Sequence, residues 1–74
     1  MGRRLSRPAR LVLLMKVTGV REGTPTDLAK LMVRAWGISL SYAYSVVKEA
    51  EIRGLLVRGE DGLLRLPEDG GEEE

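Results

Sequence analysis

Ser41, Tyr44, Ser45 and Lys48 recur at spacings of three and four, so on a helix they would set a row of hydroxyls and one ammonium along a single flank. Groups of this kind bond to anionic oxygens and other polar edges. They do not by themselves make or break covalent bonds. The chain contains no Cys and no His, so its Ser and Thr hydroxyls lack a conventional base to activate them. Its carboxylates show no metal-ligand spacing, and its two glycine-rich turns lack a phosphate-loop pattern. An enzyme is therefore not expected, and neither is a zinc finger, a disulfide, a cofactor or a small-molecule ligand.

The hydroxyl row belongs to the stretch from Gly37 to Leu56, which has the pattern of one capped amphipathic helix. Ser39 is placed to accept a backbone N–H of the first turn, and Gly54 to take the left-handed conformation that ends a helix. Ile38 precedes the cap where it would staple onto Tyr42 or Ala43. Ala43, Val46, Val47 and Ala50, with Ile52 at the end, form the apolar stripe that would face the core.

The flanking segments supply what this helix packs against. Ser6 is placed to cap a helix from Arg7 to about Thr18, with Pro8 in its first turn and Gly19 as its stop. Ala9, Leu11, Val12, Leu13, Leu14 and Met15 leave that helix apolar on most sides, which predicts one side in the core and another against a second copy, through Leu11, Leu14 and Met15. Thr24-Pro25-Thr26-Asp27 opens a second helix whose inner face is Leu28, Ala29, Leu31 and Met32. Trp36, near its end, is a packing residue or a ligand contact. Leu55 to Arg58 and Leu63 to Leu66 are two short runs around Gly59-Glu60-Asp61-Gly62, predicting a hairpin with Arg58 and Arg65 on its solvent face. Pro67 ends the second strand.

Gly37-Ile38-Ser39 leading into the helix and Arg53-Gly54-Leu55-Leu56 leading out of it resemble the two ends of the recognition helix in winged helix-turn-helix domains. The resemblance covers roughly residues 8–67 and is to stand-alone, archaeal-type members of that family. It implies a mainly α fold with a small β-hairpin (α+β), three helices plus a wing, and a short strand between the first two helices near Arg21 to Thr24. The sequence departs from the pattern in one place. Gly37 lies eight residues after Ala29, a longer interval than the family usually has. One extra helical turn, such as Met32-Val33-Arg34-Ala35, would absorb it without rotating the inner face.

The resemblance further implies double-stranded DNA as the partner. Its contacts would come from Ser39, Leu40, Ser41, Tyr42, Tyr44, Ser45 and Lys48 on the recognition helix and Arg58 and Arg65 on the wing. Arg3, Arg4 and Arg7 near the N-terminus, with Lys30 and Arg34 on the second helix, would add to them. No recognition-helix residue is of the type that makes a bidentate contact to guanine or adenine, so binding dominated by phosphates and weakly selective is expected. That fits a homodimeric transcription regulator or chromatin-associated factor, cytoplasmic and associated with the nucleoid. The alternative is a protein-interaction module of a replication, transcription or membrane-remodelling assembly. It is favoured by the missing base-reading side chains, the acidic wing tip and the apolar Leu40 and Trp36.

Charge divides the chain into three parts. Residues 1–7 form a basic arm, for solubility or for phosphate contact. Residues 1–67 hold all twelve Lys and Arg against six carboxylates, a balance of +6, and residues 68–74 hold the other five acids. That acidic tail has the composition of a disordered segment, and folding back over the basic face would weaken DNA binding. The absence of Asn and Gln, with charge retained, is a thermophile habit. The run from Leu11 to Met15 is too short to cross a membrane.

Overall fold

Each of the three helices begins on a hydroxyl. In the computed structural model, which describes residues 6–67, Ser6 accepts from the Ala9 N–H at 3.3 Å, Thr24 from Asp27 at 3.0 Å and Ser39 from Tyr42 at 3.1 Å. These residues cap α1 (Arg7–Thr18), α2 (Pro25–Trp36) and α3 (Leu40–Ile52). At Thr24 the cap is reciprocal, because the Asp27 carboxylate accepts the Thr24 N–H at 3.3 Å. The expectations for Arg3, Arg4 and residues 68–74 lie outside the described residues.

The far ends are equally local in origin. Gly54 adopts φ 79°, a left-handed conformation that a side chain would strain. There its N–H bonds to the Glu51 carbonyl at 3.0 Å and the next N–H, of Leu55, to Ala50 at 2.9 Å, satisfying carbonyls that α3 leaves open. α2 continues as one helix through Arg34 and Ala35 to Trp36 before the chain turns at Gly37. The long interval after Ala29 is thus absorbed as added helix.

α3 packs on both α1 and α2. Leu11 and Met15 of α1, Leu28, Ala29 and Met32 of α2, and Ala43, Val46, Val47 and Ala50 of α3 form the core. Alanines where helices face one another let their backbones approach closely, and the larger Leu and Met side chains fill the space between. Leu56 and Leu64, both buried, bring the hairpin into the same core. The sheet consists of β1 (Glu22–Gly23), β2 (Val57–Arg58) and β3 (Leu64–Arg65) in the order β1-β3-β2, all antiparallel. A strand does form between the first two helices, and the architecture is a small, mainly helical domain with a short antiparallel hairpin.

Three side-chain expectations are corrected. Ile52 is 74% exposed, because α3 has turned it away from the Val46–Ala50 stripe by the time the helix ends. Leu11 and Met15 are fully buried in the domain's own core, so neither can meet a second copy. Leu13 and Val17 are instead the outward apolar residues of α1, 49% and 75% exposed. Arg58 and Arg65 do not share a face. Arg65 pairs across the ladder with Val57, and Arg58 with buried Leu64, so the two arginines stand on opposite sides of the pleat. Among the described residues no helix is long and apolar enough to cross a membrane.

Candidate functional site

The caps and the apolar stripe fix the rotation of α3, and with it the flank it turns outward. Ser41, Ser45 and Lys48 are exposed there, as the spacing predicts, and Leu40 is 44% exposed at the helix start. Ser45 donates its hydroxyl proton to the Tyr42 carbonyl at 2.7 Å, which leaves its oxygen lone pairs facing solvent. Ser39 is used by its cap bond. The amino end of α3 carries the positive end of the helix dipole.

Tyr42 and Tyr44 diverge and link α3 to its two neighbours. The Arg7 guanidinium lies over the Tyr42 ring, 5.3 Å from its centre, within cation–π range. The Tyr44 hydroxyl shares a 2.7 Å hydrogen bond with Thr26, in the first turn of α2. Lys30 and Arg34 follow Thr26 by one and two turns along the same side of α2, and both are exposed. Arg7 at the start of α1 and Thr26 at the start of α2 thus meet α3 at different side chains, Tyr42 and Tyr44. Arg7 stands beside the hydroxyl flank on one side, and the Thr26, Lys30, Arg34 line leads away from it on the other.

The hairpin is electrostatically different. Arg58 makes a bidentate pair with Glu51 of α3, at 2.9 and 3.0 Å, and the hydrogen bond from Arg58 is the chief reason the Glu51 carboxyl is held below the usual range. Arg65 reaches Glu22 at 2.9 Å and Asp61 at 3.0 Å. The Leu63 backbone N–H, with Arg65 second, lowers the Asp61 carboxyl. The guanidinium of Arg65 passes so close to Gly59 that a Cβ there would collide with it. Both hairpin arginines are held in turn as guanidiniums by these carboxylates, their pKa values raised chiefly by the Glu51 and Glu22 bonds.

The partition of charge follows from these contacts. The described residues contain ten Lys and Arg, of which Arg53, Arg58 and Arg65 form ion pairs. Arg7, Arg10, Lys16, Arg21, Lys30, Arg34 and Lys48 form none among the described residues. Carboxylates gather at the carboxyl end of α3 and on the hairpin. The cations without an ion pair among the described residues lie on α1 and α2, at Arg21 and at Lys48 of α3.

Of the residues expected to act together, the structure gathers Ser39, Leu40, Ser41, Tyr42, Tyr44, Ser45 and Lys48 on α3, with Arg7 alongside and Lys30 and Arg34 on α2. It sets Arg58 and Arg65 apart, each held by carboxylates. Thr26 was missed, because a bond between residues eighteen apart leaves no mark in local spacing. A second surface was missed as well. Leu13, Leu14, Val17 and Trp36, with Arg10, line an apolar groove of about 260 Å³ between α1 and the end of α2. Trp36 packs partly against the core and partly lines this groove.

The chain matches no protein-family model, and comparison with curated proteins and with solved structures found no match.

Proposed function

We propose that this chain is a winged helix-turn-helix module that binds double-stranded DNA through the front of α3, gripping phosphates more than reading bases. The observation that carries the reading is the segregation of charge. Four cations without carboxylate partners among the described residues, Arg7, Lys30, Arg34 and Lys48, accompany the hydroxyl flank, whereas the wing cations are already paired. Lys48, Arg7, Lys30 and Arg34 would meet phosphate oxygens, and Ser41 and Ser45 would bond to phosphates or base edges. A wing neutralised in this way lies against the duplex without inserting into the minor groove.

Such a protein would act without catalysis or cofactor, as a transcription regulator or a chromatin-associated factor. A homodimer is part of the reading, now through Leu13 and Val17 of α1 with Leu14 and Trp36 beside them. Two linked domains double the phosphate contacts and raise affinity through effective concentration. Replacing Lys48 and Ser45 together with Ala tests the interface. Duplex binding should weaken while the fold, read by circular dichroism and melting, stays intact; unchanged binding in the folded double variant would refute it.

One observation favours a second reading, a protein-interaction module. Leu40 is 44% exposed at the start of α3, beside Tyr42, and an apolar anchor there suits a protein partner better than a phosphate backbone. A single partner recovered after nuclease treatment, together with no duplex binding at low salt, would establish that reading in place of the first.

A further inference from the structure

A depression of about 790 Å³ opens where the end of α1 meets the sheet, and Lys16, Arg21, Glu22, Arg65 and Pro67 are among the residues that line it. Arg65 is already shared between Glu22 and Asp61. Lys16 and Arg21 pair with no carboxylate among the described residues. Two such cations in a concavity attract anions more strongly than the same charges on a convex surface, because the low-dielectric walls concentrate their field. The reading of α3 given above makes no use of them. Lys16 lies nine residues beyond Arg7, about 14 Å along the α1 axis from the Tyr42 contact.

The course of the chain identifies an occupant. The described residues end at Pro67, in the lining of this depression. The segment that follows is Glu68-Asp69-Gly70-Gly71-Glu72-Glu73-Glu74, with five carboxylates and two adjacent glycines. Seven residues span at most about 25 Å when extended, so every part of the depression is within reach. Exposed ion pairs are each worth only about 0–1 kcal/mol. A short tether compensates, because it holds the carboxylates at an effective concentration of the order of millimolar.

We propose that residues 68–74 dock in cis in this depression, with Glu72, Glu73 and Glu74 over Lys16 and Arg21. The depression is then a site for acidic peptide that the chain's own segment occupies, and an acidic partner segment has to displace it. Docking here also keeps five carboxylates at the end of α1 remote from Arg7. The cations beside α3 are left unopposed, which differs from a tail folded over the α3 flank. The proposal concerns the isolated chain and stands whether or not that chain binds DNA.

The test contains no DNA. Because the sequence has no cysteine, Glu73→Cys accepts a single nitroxide label on the full chain, and the broadening of each backbone amide signal reports its proximity. Tethering alone broadens amides near Pro67 to an extent that salt does not change. Docking predicts strong broadening of Lys16 to Arg21 at low salt that falls clearly at high salt. In a Lys16→Gln, Arg21→Gln variant the broadening should fall to the high-salt level while the rest of the spectrum is preserved. Broadening indifferent to both salt and the double substitution would overturn the proposal. So would broadening centred on Ser41 to Lys48, which would place the segment over α3.

Discussion

The guanidinium of Arg7 sits 5.3 Å from the centre of the Tyr42 ring, joining the first residue of α1 to the first turn of α3. The contact holds a cation at the border of the hydroxyl flank, where a side chain on a flexible arm would have no fixed place. Arg7→Ala should lower stability by about 0.5–1 kcal/mol, the usual value for an exposed cation–π pair. A double-mutant cycle with Tyr42→Leu, read by denaturant unfolding, isolates the coupling. Zero coupling would mean that the stacking contributes nothing to the folded state.

The wing arginines should matter to the hairpin and little to duplex binding. Replacing Arg58 with Ala frees Glu51 and should speed amide exchange at Val57 and Arg58. It should also leave the dependence of DNA affinity on salt unchanged. Lys48→Ala should reduce the slope of log affinity against log salt by about 1, the loss of one phosphate contact. If Arg58→Ala lowers the slope as much as Lys48→Ala, the wing is in contact with phosphate after all.

Acid should loosen the same hairpin. The carboxyls of Glu51 and Asp61 are held below their ordinary values, the first chiefly by the Arg58 hydrogen bond and the second chiefly by the Leu63 N–H. A carboxyl with a depressed folded pKa adds stability that is fully present above the unfolded value, about 4. That stability is lost as pH falls through the folded value. Melting temperature should therefore decline in acid, and Glu51→Gln should flatten that decline. Carboxyl chemical shifts followed through the titration would show whether Glu51 and Asp61 protonate below the reference range.

Gly54 tests the exit from α3. Its φ of 79° costs an L side chain about 1–2 kcal/mol, and Gly54→Ala should lower stability by roughly that amount. Nothing stands within 4 Å of an added Cβ, so the loss would report backbone strain alone. An unchanged melting temperature would show that the exit relaxes into another conformation.

The dimer proposed for α1 depends on Leu13 and Val17. Leu13→Glu with Val17→Glu should yield a monomer by sedimentation while the helical signal persists, since both residues project from the core. A wild-type chain that is already monomeric at high concentration would remove the dimer from the account.

The parts of this fold that were legible in the sequence are the ones fixed by neighbours along the chain. Ser6, Thr24 and Ser39 cap helices where their spacing to the following apolar residues said they would. Gly19, Gly37 and Gly54 stand where helices stop, and Ala43, Val46, Val47 and Ala50 are buried as the period requires. What was not legible depends on partners distant in sequence. An α1 apolar on most sides does not declare which side will meet α3, so Leu11 and Met15 were assigned to the wrong neighbour. A slip of one residue in the ladder reverses which side chain faces the core. Read as a plain four-residue loop, Gly59 to Gly62 would pair Arg58 with Leu63 and give Arg58 and Arg65 one face. The turn instead closes from Gly62 to the Gly59 carbonyl, with Gly62 at φ 85°, and pairs Arg58 with Leu64. The pairings of Arg7 with Tyr42 and Thr26 with Tyr44 arise only once α1 and α2 have packed against α3.

The central claim is that α3 and its flanking cations hold duplex DNA mainly by its phosphates. The most direct measurement is affinity for two unrelated duplexes of equal length across a range of salt concentrations. The account predicts similar affinities for both and a steep fall with salt, with a log–log slope of roughly −3 to −4 per domain if Arg7, Lys30, Arg34 and Lys48 each meet a phosphate. No binding to either duplex at low salt would contradict it.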